Sequence, residues 1–484
     1  MGGPGWREDV LTADNFVDPG SFRPVSDALA STDPLDFPSY KETLENAEAG
    51  SGSDESVVAG AATVNGNDVE LAQFSFRFIG GSMGEVAGER LARALERAAE
   101  RRAPFVLYTA TGGARMQEGM AALVQMTKVV AGRERLARAH VPLIAVLGNP
   151  TTGGVLASLA ALADITVAET GATIGFAGPR VAEQFLGRPL AGTSHTAEIA
   201  RSSGLVDDLV EPGDVRAFLA HALDVLAPDA PENLEPPPLL PEVEDFPDAW
   251  EVVRRARAED RPRAPELLSS MLDSFVALRG DRSGRDDAAL GAALARMGGR
   301  KLVVLALDRA HPPGPGAYRK GRRCIEIAER LRLPVVTIVD TPGANPSEGS
   351  ETGGIAWEIA KLLEAMLAAT VPTVSVLTGE GGSGGALAFA TADVVLAYEN
   401  SFFSVIGPEA AAAILWRDAT RAAEAARALR VSAHDLVRMG IADALVAEPL
   451  SADSLRRVVA YHLARLEKAD PEARRRRWRN RGPR

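Results

Sequence analysis

The chain has 484 residues, 46% of them hydrophobic but only 5% aromatic, and a formal net charge of −12. That length exceeds one compact core and suits two domains filled by Ala, Leu, Val and Ile on Gly-rich backbone, the composition of a layered α/β protein. The acidity argues against a nucleic-acid surface, and the single cysteine, Cys324, excludes a disulfide framework or a cysteine zinc module and fits a cytoplasmic protein.

Taken in chain order, residues 1–50 carry scattered Pro and Asp and read as a loosely packed leader, and Trp6-Arg7-Glu8-Asp9 lacks the charged-then-apolar pattern of a secretory signal. No stretch is apolar for long enough to span a membrane. The small, polar and Gly-rich segment 51–67 predicts a mobile loop at the start of a first domain, 51–226. The run Gly80-Gly81-Ser82-Met83-Gly84-Glu85 is no phosphate loop, because it lacks the Lys-Ser/Thr ending that reaches phosphate and magnesium. Residues 227–248, dense in Pro and acidic side chains, predict an extended linker to a second domain, 249–470. Cys324 falls in a helical pattern as a small buried residue, and the basic run Arg474 to Arg477, with Arg479 and Arg481, makes 471–484 a solvated tail. The six histidines, at 140, 195, 221, 311, 434 and 462, show no metal-ligand spacing and read as surface or packing residues.

The chain repeats itself. Val141 opens VPLIAVLGNPTTGGVLASLAALADITVAETGATIGFAGP, and Val371 opens VPTVSVLTGEGGSGGALAFATADVVLAYENSFFSVIGP. Upstream, FVLYTATGGARMQEG from Phe105 parallels VVTIVDTPGANPSEGS from Val335, and downstream Gly204 and Gly440 open matching GLVDDLVEP and GIADALVAEP. The offset stays near 230 residues, which marks an internal duplication. Strands alternating with helices predict a largely parallel sheet in each copy.

In each copy a buried strand ends in glycines and a helix follows at once, at Gly153-Gly154 and at Gly384-Gly385-Ala386. Such a turn presents backbone N–H groups at a helix N-terminus, where absent side chains let an oxygen approach and the helix dipole favours negative charge. This is an oxyanion hole made from main chain. One Gly pair could equally serve tight helix–sheet packing; two in register, each beside a second glycine turn (Gly112-Gly113 and Gly343), fit a reaction with two enolate-like oxygens. No side chain stands out as nucleophile or base.

Several segments carry a resemblance. FRFIGGSMGEVAGER (76–90), TGGARMQEGM (111–120), PTTGGVLAS (150–158) and IGFAGPRVAEQ (174–184) resemble the β chain of bacterial acetyl-CoA carboxylase carboxyltransferase. GAYRKGRRCIEIAERLRLPVVTIVDTPGA (316–344), TGEGGSGGALA (378–388) and SVIGPEAAAAILW (404–416) resemble its α chain, so the chain looks like a fusion of the two over about residues 40–450. The resemblance implies two tandem crotonase-like (ClpP/crotonase superfamily) domains and transfer of a carboxyl group from carboxybiotin, on a separate carrier protein, to acetyl-CoA or a related coenzyme A thioester. By motif, Gly153 and Gly154 correspond to the acyl-CoA hole, and Gly385 and Ala386 to the hole for the biotin ureido oxygen. Biotin nitrogen taking the acyl α-proton explains why no protein base is visible. Gly112, Gly113, Gly343 and Gly384 are expected beside the cofactors. Arg115 and Arg180 follow the glycine turns and either pair with CoA phosphates or form structural salt bridges. No metal is implied.

The chain departs from the family in three places. It lacks the zinc ribbon that usually opens the β chain, it has Asn345 where an aromatic follows the Thr-Pro-Gly-Ala turn, and the segment RAHPPGPGAY before the α-like helix is short. With no biotinyl-lysine motif and no ATP-binding half, it needs a biotin carboxylase and a biotin carboxyl carrier protein as partners, and the fusion suggests a homodimer. Two rivals use the same fold: a biotin-independent acyl-CoA decarboxylase or other tailoring enzyme, and a non-catalytic assembly subunit.

Overall fold

The sequence turns back on itself at Asn65-Gly66, where both residues take positive φ (49° and 77°), the conformation of a tight two-residue hairpin turn. This turn joins β1 (Val57–Val64) to β2 (Asn67–Phe74) in full antiparallel register. The computed structural model describes residues 15–25, 28–190, 192–233, 235–240, 247–466 and 469–480. The readings of residues 6–9, of 241–246 within the linker and of Arg481 lie outside the described residues.

The chain divides into two compact units, Met1–Ser202 with Val206–Asp224, and Val225–Arg484 with Ser203–Leu205. In the first, β2 is followed in parallel by β3 (Phe105–Thr111), β4 (Leu143–Thr152), β5 (Ile165–Glu169) and β6 (Asp208–Val210). In the second, the antiparallel pair β7 (Leu290–Met297) and β8 (Arg300–Leu307) is followed by parallel β9 (Val335–Thr341), β10 (Thr373–Gly382), β11 (Val394–Tyr398) and β12 (Ala444–Val446). The parallel strands are continuous apolar runs, as required where both faces of a sheet are covered.

The helices repeat as faithfully as the strands. Glu85–Arg101 and Pro315–Leu331 each fill 17 residues, and Gln125–Arg138 and Ile355–Ala368 each fill 14. Helical spacing puts Leu91, Ala94, Leu95 and Ala98 on one face, where they join Phe105, Leu107, Leu143 and Ala145 in the first core. The bounds of both helices and of β3 and β4 recur 230 positions later. The repeat extends to an irregularity: pairing of β3 with β4 shifts between Thr109 and Thr111, and that of β9 with β10 between Val339 and Thr341.

Three expectations need correction. The segment 51–67 is no mobile loop, since Val57 to Val64 lie in a sheet with Val57 and Val64 fully buried; small residues there suit a packed strand, and the Asn-Gly turn was the signal to read. Nor is the described part of the leader loose, because Phe16, Val17 and Tyr40 are buried and the Phe16 ring stacks on Tyr108 at 4.4 Å. Separately, the described part of 227–248 is hydrogen-bonded to the second unit, with the Ala230 and Glu232 amides donating to the carbonyls of Gly299 and Gly298 and Leu239–Leu240 pairing with β12. The basic run at 474–477 lies on a helix, Pro471–Arg479, and its first arginine is not solvated. Arg474 is 1% exposed; it ion-pairs with Asp393 at 2.6 Å and donates to the carbonyls of Met366, Ala369 and Val371.

Candidate active site

In both units the strand-end irregularity bends the chain so that two glycine turns meet. Gly113 (φ 110°) and Gly153 (φ 66°) stand back to back: a Cβ built on Gly153 would lie 2.9 Å from Gly113 Cα, so side chains are excluded from both. Thr111 Oγ1 fixes the first turn by accepting from Gly113 N at 3.0 Å. The corresponding Thr341 Oγ1 accepts from Gly343 N at 3.3 Å. The run at 80–85 buttresses this turn, because Gly112 N donates to Gly80 O, Met83 N to Gly113 O and Arg115 N to Met83 O. In the second unit Asn345 N donates to Pro313 O at 2.9 Å, the counterpart of the Arg115–Met83 bond, so Asn345 occupies the place of Arg115.

Helices start directly on these turns, Gly153–Leu156 and Ser383–Ala390. The first three N–H groups of a helix have no acceptor inside it. Gly153 N donates to Phe176 O at 2.8 Å, which leaves the Gly154 and Val155 amides as the orphan donors of the first unit. The sheet register pairs Thr111 with Thr151 and Thr341 with Gly381, so Gly153-Gly154 corresponds to Ser383-Gly384. Ser383 takes the same backbone conformation as Gly153, with φ 60°. The orphan donors of the second unit are therefore Gly384 and Gly385, whereas Ala386 sits at the fourth helical position, where helix geometry turns its N–H to the carbonyl of Gly382. Ser383 escaped the sequence reading because matching the Gly-Gly letters shifts the repeat by one residue; counting from the strand starts keeps it in step.

A Cβ on Gly384 would meet nothing within 4 Å. Ser383 and Gly384 line part of an apolar cavity of about 400 Å³, together with Leu377, Leu387, Phe403 and Leu436.

The two arginines part company. Arg115 is fully buried: its guanidinium ion-pairs with Glu55 and, at 3.2 Å, with Glu118, and it donates to Ser82 O at 2.8 Å. Tyr40 Oη donates to Glu118 Oε1 at 2.6 Å and completes the cluster. Burial works to raise the Glu55 carboxyl, but the Arg115 guanidinium outweighs it and holds Glu55 below the usual range. No face of Arg115 remains for a CoA phosphate, so of its two readings the structural salt bridge holds. Arg180 is exposed at the start of helix Pro179–Leu186. Among the described residues no group of three His, Cys, Asp or Glu side chains is placed to hold a metal ion.

A family model described as acetyl co-enzyme A carboxylase carboxyltransferase-like matches residues 245–476. The acetyl-coenzyme A carboxylase carboxyl transferase subunits beta/alpha of Salinispora tropica is 42% identical across 93% of this chain and 86% of that protein. The chain belongs to the biotin-dependent acetyl-CoA carboxylase carboxyltransferase family, with β and α parts fused. It is accordingly an enzyme of acyl-CoA carboxyl transfer. A probable biotin-dependent acyl-coenzyme A carboxylase beta3 subunit of Mycobacterium tuberculosis is 41% identical over 87% of this chain and 86% of that one. Among solved structures, transcarboxylase 12S superposes with a TM-score of 0.77 at 23% identity, covering 94% of this chain and 89% of its own. A single-chain, multi-domain long-chain acyl-CoA carboxylase gives 0.72 at 20% identity, covering 93% of this chain and 46% of that one. These likenesses fix the fold as the crotonase-like type of the carboxyltransferases.

Proposed function

We propose that this carboxyltransferase moves the carboxyl group of carboxybiotin, presented by a separate carrier protein, to acetyl-CoA or a related acyl-CoA, giving malonyl-CoA in the first case. The observation that carries the reading is the duplicated pair of orphan amides at a glycine-lined helix N-terminus, one set in each unit. Gly154 and Val155 N–H would hold the thioester oxygen as the α-carbon loses its proton, and Gly384 and Gly385 N–H would hold the biotin ureido oxygen. The residues fit biotin: Gly384 leaves space that any Cβ would fill, and the adjoining apolar cavity suits its apolar thioether ring and alkyl chain. When bound, biotin supplies the carboxyl group and a nitrogen basic enough to take the acyl α-proton. The chain's share is to orient both oxygens and to stabilise charge on them from fixed amides.

On this reading the partners are a biotin carboxylase and a biotin carboxyl carrier protein, in the cytoplasm, with 51–226 as the β-like and 249–470 as the α-like domain. A homodimer is supported by exposed apolar side chains at equivalent places in the repeat, Phe176 at 71% and Val405 at 76%. Transcarboxylase 12S assembles as a hexamer.

The test is malonyl-CoA decarboxylation, the reverse half-reaction, with and without free biotin. Biotin-dependent turnover supports the transferase. Turnover indifferent to biotin would make the chain a decarboxylase, and no turnover with malonyl-, methylmalonyl- or longer acyl-CoA substrates would make it a non-catalytic subunit.

A further inference from the structure

The second unit contains a buried hydroxyl that the amide holes do not explain. Tyr318, on helix Pro315–Leu331, is 0% exposed, and its ring packs on Phe389 with centroids 5.6 Å apart. Its Oη has no hydrogen-bond partner among the described residues. A buried hydroxyl without an acceptor is a standing cost to folding, so its position calls for a reason.

That position is the glycine turn. A Cβ on Gly385 would lie 2.6 Å from Tyr318 Oη and 2.8 Å from the amide nitrogen of Ala344, so the bare Cα of Gly385 is what admits the hydroxyl. The first unit has no counterpart: the 230-residue offset carries Tyr318 to Gly88 and Gly385 to Val155. The duplicated holes therefore differ. The first is amide alone, whereas the second has a phenol aimed at the N-terminus of its helix.

Resting on the reading that this second hole receives the biotin ureido oxygen, we propose that the Tyr318 hydroxyl is a third donor to that oxygen, beside the N–H groups of Gly384 and Gly385. Burial pushes the phenol up, with the charge of Asp287 adding to it, so the hydroxyl keeps its proton and can donate it. It reaches the hole from beneath Gly385, and the bond closes when the oxygen is seated, since donor–acceptor contacts in empty sites are long. The asymmetry suits the chemistry: a urea oxygen gaining charge as the N–CO₂ bond breaks keeps the electron pair on the ring, and a hydroxyl donor stabilises it there.

The experiment compares full-length wild type with Tyr318→Phe in biotin-dependent malonyl-CoA decarboxylation and in thermal melting. The expected result is a kcat lower by on the order of 100-fold with the KM for malonyl-CoA unchanged. Melting is expected at the wild-type temperature or above, because the variant removes only an unsatisfied hydroxyl. Unchanged kcat would overturn the proposal, as would a lowered melting temperature accompanying the loss, which would make the hydroxyl structural. A wild type indifferent to biotin would instead defeat the reading on which the proposal rests, so the two failures are distinguishable.

Discussion

At the scale of single residues, charges that look alike in the sequence have opposite fates. Arg115 and Arg180 both follow glycine turns, yet one is sealed between Glu55 and Glu118 and the other is exposed. The difference was not legible because Glu55 lies 60 residues from Arg115, and only the fold brings it there. Arg115→Ala leaves the Glu55 carboxylate buried and uncompensated and is expected to cost about 3–5 kcal/mol of stability in denaturant unfolding. Glu169 works the other way. Burial pushes its carboxyl up to about 7 against the pull of the Tyr108 hydroxyl, so the fold favours the protonated form. Its contribution to stability is complete below the ordinary value of 4.5 and is lost as pH rises through about 7. Glu169→Gln should therefore be more stable than wild type at pH 8 by about 1–3 kcal/mol and match it near pH 4, a difference read from melting curves at the two pH values.

Among elements, the helix Pro471–Arg479 shows what a composition-based reading misses. A run of arginines suggested a solvated tail, but Arg474 enters the second unit and donates to the backbone carbonyls of Met366, Ala369 and Val371. Arg477 bonds Asp443 and the Ile441 carbonyl, and Trp478 donates to Ala392 O. Arg474→Ala should cost about 3–5 kcal/mol, because Asp393 loses its buried partner, whereas Arg475→Ala, on the exposed face beside Glu472, should change stability by less than about 0.5 kcal/mol. Equal effects of the two substitutions would refute the docking. The β1–β2 hairpin was overlooked for a different reason: its strand VVAGAATV is made of small residues that resemble a linker until Asn65-Gly66 is read as a turn.

Over the whole molecule, the duplication was the most legible feature, because the central parallel strands and glycine turns of one half have their likeness in the other. Fold class and the presence of two turn-helix sites followed from it. What the repeat concealed was its own asymmetry, with Ser383 where the first half has Gly153, and Tyr318 where it has Gly88. Assembly belongs to this scale too: Val405→Glu and Phe185→Glu, at sites 76% and 89% exposed, should leave melting unchanged yet lower the mass in sedimentation equilibrium. An unchanged mass would remove those faces from any interface.

The central claim is that the two holes serve two different oxygens. It is tested most directly by steady-state kinetics of malonyl-CoA decarboxylation, varying malonyl-CoA and free biotin, for wild type, Gly154→Ala and Gly384→Ala. A methyl at Gly384 meets no protein atom within 4 Å, and the nearest atom to one at Gly154 is the sulfur of the flexible Met126 side chain, at 3.0 Å. The account predicts that Gly384→Ala raises the half-saturating biotin concentration about tenfold or more with the KM for malonyl-CoA unchanged, and that Gly154→Ala does the reverse. Both variants moving the same constant would contradict it.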